Sequence, residues 1–291
     1  MDKKFIALLC GLCAASIWGG MYVVSKVVLE VIPPFALLTL RLSLGFLSLG
    51  IVILFRKTRA PITQREFWQS FLVGIVGYGI SLGFQFTGTK LSTASNGALI
   101  TSATPAFVLL FAFLLLHEKI TLRQTLALIV STLGVLAVID PRTAELSPSL
   151  FLGNTLLFFA GLTWALYSVL VRKVARNIDL LTSSAVMLLG GIPSSALLGF
   201  YEVNSQGIGA ITLGIVGGIL FLGIISTAIA MFLWNYAFKE LPAALASLTF
   251  FAQPVVGTLL GWLFLNEKIT PLFLFGGVLI GIGILISTKN S

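Results

Sequence analysis

Trp18, Tyr22 and Ser25 stand at i, i+4 and i+7 in one apolar stretch, and Tyr78, Ser81 and Gln85 stand at i, i+3 and i+7 in another. On a helix each trio shares a face. Ser92, Ser95, Asn96 and Ser102 form a broader stripe with Thr101 and Thr104 beside it. Trp164, Tyr167 and Ser168, then Thr227, Trp234 and Asn235, then Ser247, Phe250, Phe251 and Gln253 repeat the theme. Aromatic rings beside uncharged hydroxyls and amides can enclose an organic molecule and hydrogen bond to it. They supply neither a metal site nor a paired acid and base, so the chemistry on offer is binding. Trp18, Tyr22, Tyr78, Gln85, Asn96, Trp164, Tyr167, Trp234, Asn235 and Gln253 are the candidate substrate-binding residues. The competing reading for each is an interfacial aromatic or a helix-packing amide.

Arg41 is the formal charge that lies well inside an apolar stretch. It is a candidate partner for a substrate carboxylate, or it snorkels and ties down backbone carbonyls. All ten acids fall in loops or at span ends, and the single histidine, His117, lies at a span end. Neither a buried Ser-His pair nor a carboxylate dyad can be assembled, which argues against an intramembrane enzyme. Cys10 and Cys13 lack the further ligands of a metal site, and no nucleotide-binding G-x-x-x-x-G-K-[ST] loop occurs. No cofactor and no metal are expected.

These residues need helices in lipid to position them. The 291 residues are 57% hydrophobic and 10% charged, with mean hydropathy +1.06, too much apolar surface for one soluble core. Runs of about 20 apolar residues recur, each long enough to cross a bilayer. Ten spans are predicted, from Phe5–Val24 to Leu272–Ile286. The basic, apolar N-terminus is read as a retained first span rather than a cleaved signal. The net charge of +8 comes from short loops and not from one basic face, so no nucleic-acid partner is expected. Thirteen basic residues, from Lys3 and Lys4 to Lys239 and Lys289, fall on one side, against Lys26, Lys90, Arg142 and Lys268 on the other. The richer side is read as cytoplasmic, with both termini there and the chain in the inner membrane.

The chain also repeats itself. Aligned from Pro105 and Pro254, the two stretches match at eight of seventeen positions and share the ending Glu-Lys-Ile-Thr, at Glu118–Thr121 and Glu267–Thr270. Trp18 precedes Lys26 by eight residues, as Trp164 precedes Arg172. Five spans per half is an odd number, so the repeats are predicted to be inverted, as in secondary transporters. The boundaries expected are 1–139 for the first repeat, 140–149 for the connecting loop and 150–291 for the second. Glu118 and Glu267 are read as turn-and-cap residues, Pro105 and Pro254 as hinges. The G-x-x-x-G pairs Gly79/Gly83, Gly257/Gly261 and Gly277/Gly281 are read as close helix contacts within a monomer.

The tryptophan-containing first helix (SIWGGMYVVSK and LTWALYSVLVRK), the arginine of the second span, and the proline-containing fourth helix with its terminal glutamate resemble the EamA family of the drug/metabolite transporter superfamily. The resemblance covers nearly the whole chain. It implies an all-α bundle of ten transmembrane helices with a central cavity between two inverted five-helix repeats, helices five and ten to the side, and export of small metabolites such as amino acids. Neutral or aromatic amino acids, other small metabolites and cationic drugs remain open as substrates, with a multidrug permease of the same fold as the alternative. A membrane scaffold would call for a soluble domain or a long tail.

Overall fold

The computed structural model describes residues 2–57, 61–92, 94–139, 147–175, 178–265 and 271–288. Ten helices follow in order: α1 (Lys3–Leu29), α2 (Pro34–Phe55), α3 (Gln64–Leu91), α4 (Ala94–Thr101 and Thr104–Leu116), α5 (Leu122–Ile139), α6 (Phe151–Val174), α7 (Leu180–Gln206), α8 (Leu213–Glu240), α9 (Ala243–Leu265, tightened at Thr249–Phe251) and α10 (Pro271–Thr288). Among the described residues nine stretches are long and apolar enough to cross a membrane, and Pro271–Ser287 is a shorter apolar helix. The loop expected at 140–149 lies outside the described residues up to 146, as does Glu267.

Polar residues at the ends start these helices. Thr63 and Glu66 form a capping box on α3, with Thr63 N–H to Glu66 Oε2 at 2.8 Å and Glu66 N–H to Thr63 Oγ1 at 3.3 Å. Thr121 caps α5, accepting Gln124 N–H at 3.2 Å while Gln124 Oε1 accepts Thr121 N–H at 2.9 Å. α2 opens on Pro33-Pro34, and its first free amides, of Phe35 and Ala36, donate at 2.7 and 3.3 Å to Glu202 at the far end of α7. At the other end of that pair Arg56 donates to Asp179 at 2.6 Å, so α2 and α7 are tied twice. Outward, α2 presents Leu47, Ile51 and Leu54 at 56, 54 and 64% exposure. Such a stripe is unfavourable in water and matches lipid.

The helices pack by exchange between the halves. α1 lies against α8 and α9, α6 lies against α3 and α4, and α2 lies along α7. α5 and α10 pair beside this core around their own cluster of Ala127, Val135, Val138, Phe273 and Ile280. A Cβ on Gly134 would come within 2.7 Å of the Gly276 carbonyl. The expected glycine contacts hold in part. Gly79 and Gly83 do face close neighbours, Ser194 and Phe35, and Gly257 makes ordinary contact with Gly19, but Gly277 and Gly281 have nothing within 4 Å among the described residues. Spacing along one helix says nothing about which face meets a partner, and α10 turns its pair outward.

Glu118 departs from expectation in its partner. The carboxylate caps α9, not the following helix: Ala243 N–H donates to Oε2 at 3.2 Å and Arg172 Nε to Oε1 at 2.7 Å. The same guanidinium donates through Nη1 to the carbonyls of Phe238 at 3.2 Å, Lys239 at 3.5 Å and Leu241. One clamp therefore holds the ends of α4, α6 and α8 to the start of α9.

Candidate functional site

Four helix irregularities shape the centre. α4 stops after Thr101 and restarts at Thr104 with Pro105 in its first turn, where a missing N–H costs nothing. α9 tightens at Thr249–Phe251, just before Pro254. α3 and α8 widen into π-helix at Ile75–Ser81 and Phe221–Ile229, a distortion often found at functional sites. In α8 the Thr227 hydroxyl reaches back five residues to the Leu222 carbonyl at 2.7 Å, and the Ser226 carbonyl accepts Trp18 Nε1–H at 3.0 Å.

These breaks border a cavity of about 30 Å³, room for about two waters. Trp18 and Met21 of α1, Ser81, Leu82 and Gln85 of α3, Thr101 and Thr104 of α4, Ala160, Gly161 and Trp164 of α6, Met231 of α8, and Phe250 and Gln253 of α9 line it. Both halves contribute. The Trp18 ring meets Trp164 edge-on at 5.5 Å, Trp234 at 5.3 Å and Phe250 at 6.4 Å. Three polar atoms of these lining residues are buried with no hydrogen-bond partner among the described residues: Trp164 Nε1, Thr104 Oγ1 and Gln253 Oε1. Buried groups of this kind are normally satisfied. One donor, one acceptor and one hydroxyl of the lining residues are thus left unsatisfied.

The expected residues separate into three groups. Trp18, Gln85, Trp164 and Gln253 line the cavity. Tyr78, Tyr167, Trp234 and Asn235 do not; each is fully buried beside it. There the Tyr167 hydroxyl donates to Asn235 Oδ1 at 2.6 Å and touches the Tyr78 hydroxyl, Asn235 Nδ2 donates to Ser184 Oγ at 3.1 Å, and Trp234 Nε1 donates to Ser168 Oγ at 3.0 Å. They satisfy one another, because amides and phenols in an apolar interior seek partners. Asn96 lies apart: its Nδ2 donates to Asn154 Oδ1 at 2.9 Å and Ser92 Oγ at 3.3 Å, and it joins α4 to α6 away from the cavity wall. The Tyr22 side chain lies outside the described part of the structure. Met21, Met231, Leu82, Ala160 and Gly161 carry no polar signal and were not legible as lining.

Arg41 is fully buried in α2. Its Nε donates to Thr227 Oγ1 at 2.9 Å, Nη2 to Ser226 Oγ at 3.4 Å and Nη1 to Met21 Sδ at 3.6 Å. The guanidinium carbon lies 5.3 Å from the Phe86 ring centre. It therefore neither snorkels nor ties down carbonyls, and Met21 stands both on the cavity wall and on the guanidinium.

The profile of the EamA-like transporter family matches residues 5–139 and again 151–289. The chain belongs to this family. Among its EamA-like relatives, the protein named uncharacterized transporter YoaV of Bacillus subtilis is 26% identical over 94% of this chain and 93% of its own length. An uncharacterized transporter of Archaeoglobus fulgidus is 27% identical over 99% of both chains. Protein PecM of Dickeya dadantii is 27% identical over 92% of this chain and 87% of its own. A solved crystal structure shares the fold, with a TM-score of 0.80 at 21% identity over 97% of this chain and 96% of that one. This EamA-like chain is thus a multi-pass membrane protein with a transporter's architecture.

Proposed function

We propose that the protein is a secondary transporter or facilitator that exports small metabolites, amino acids foremost, across the cytoplasmic membrane. Two inverted five-helix repeats, 1–139 and 150–291, would alternate the access of one central site, with both termini cytoplasmic and the monomer as the working unit. The observation that carries this reading is the aromatic cavity, built from both halves, whose lining residues include Trp164, Thr104 and Gln253 with Nε1, Oγ1 and Oε1 unpartnered among the described residues. The family match in each half and the exchange of α1 and α6 between the halves support it.

Sites for small molecules span roughly 300–1,000 Å³, about ten times or more the space in this cavity. Helices must therefore part to admit a substrate, and the interruptions beside Pro105 and Pro254 are the proposed bending points. Pro105→Ala and Pro254→Ala are expected to slow flux several-fold at unchanged expression. Undiminished flux in both variants would remove the hinge role.

The function itself is tested with purified protein in liposomes, screened against labelled amino acids with and without a pH gradient. Saturable flux insensitive to the gradient is expected for a facilitator, and gradient-driven flux would mark proton coupling. No flux of any amino acid would turn the reading to another metabolite class.

A further inference from the structure

Arg41 is a fully buried cation whose partners among the described residues are all uncharged: two hydroxyls, a thioether and an aromatic ring. The carboxylates that form ion pairs among the described residues, Glu118 and Asp179, serve Arg172 and Arg56. A guanidinium presents five N–H donors in a planar fork that fits a carboxylate. Of the three bonds here only the one to Thr227, at 2.9 Å, has ordinary length; the bond to Ser226 is 3.4 Å and the third ends on a weak sulfur acceptor. A buried charge held this loosely is costly and calls for an anion. Between it and the central cavity stands Met21, an unbranched side chain able to change rotamer without moving its helix.

Resting on the transporter reading above, we infer that Arg41 is the docking cation for a carboxylate on the transported molecule. The carboxylate reaches the Nη face when Met21 swings aside. The substrate class is then a small carboxylate with an apolar or aromatic body. The body lies among Trp18, Trp164 and Phe250, and Gln253 Oε1 and Thr104 Oγ1 accept from any donor group it carries. A purely structural Arg41 would tie α2 to α8 and show no preference among ligands.

The test compares 4-methylpentanoate and 3-phenylpropanoate with their uncharged amides, binding measured on purified protein by intrinsic tryptophan fluorescence. Wild type is expected to bind the acids about tenfold or more tightly than the amides, the ordinary worth of one charge-assisted hydrogen bond. In Arg41→Met the preference is expected to fall below about twofold, with a melting temperature at or above that of wild type, since a buried charge is gone. Acids and amides bound alike by wild type, or neither bound, would overturn the inference, and this comparison needs no variant to fold. Arg41→Met melting lower with its preference intact would also overturn it and leave a tie between helices. Acids that bind while no solute crosses liposomes would count against the transporter reading and leave the dock standing.

Discussion

Arg172→Leu is expected to lower the stability of the bundle by about 3 kcal/mol, read as a fall in the midpoint of thermal unfolding in detergent. The substitution removes the counter-charge of Glu118 and also the donor for the carbonyls of Phe238, Lys239 and Leu241. Breaking one side of a buried pair costs about 3–5 kcal/mol. The side chains here are 12 and 23% exposed, which puts the expectation at the lower end. Glu118→Leu leaves Arg172 its carbonyls and should cost less. The double variant should fall short of the sum of the two by 1 kcal/mol or more, because both act in one network. Additive losses would show that the two side chains do not work as a unit.

The second large effect lies on the seam between α3 and α7. A Cβ on Gly74 would come within 2.7 Å of the Met187 Cα and closer still to its carbonyl, and a Cβ on Gly190 would strike the Phe71 carbonyl. These neighbours are backbone and cannot rotate away, so the helices must part. Gly74→Ala is therefore expected to destabilise by about 3 kcal/mol, at the upper end for overpacking, despite the helix-propensity gain of the alanine. Gly50→Ala is the internal comparison, since nothing lies within 4 Å of its Cβ position. There the gain of about 0.5–1 kcal/mol should stand alone. Equal melting temperatures for the two variants would refute the close-seam account.

The two variants also mark where the sequence stops being informative. Hydropathy and loop charges suffice to count spans, because lipid imposes length and composition on every helix independently. Duplication points to Pro105 and Pro254 as breaks, and the two repeated tryptophans, Trp18 and Trp164, both line the cavity. Spacing says nothing about the neighbour, however. Gly277 and Gly281 have the spacing of a contact and face open space, whereas Gly74 belongs to none of the expected pairs and meets a backbone. Asn235 and Gln253 look alike in sequence, yet the first is satisfied by Tyr167 and Ser184 while the second leaves an acceptor open. That difference depends on which helices lie across from each amide. Asn96 is drawn to Asn154 for the same reason, a partner 58 residues away in sequence. The widened turns at Ile75–Ser81 and Phe221–Ile229 have no compositional signature at all.

The small size of the central cavity also bears on electrical tightness. A carrier in a cell membrane must withstand the proton and sodium gradients between cycles, and a file of water joining the two faces would short-circuit them. A cavity of about 30 Å³, bordered by Trp18, Trp164 and Phe250, leaves little volume for such a file between those rings. The proposed alternation would therefore have to keep these rings between the two faces at every stage of the cycle, or the gradients would run down.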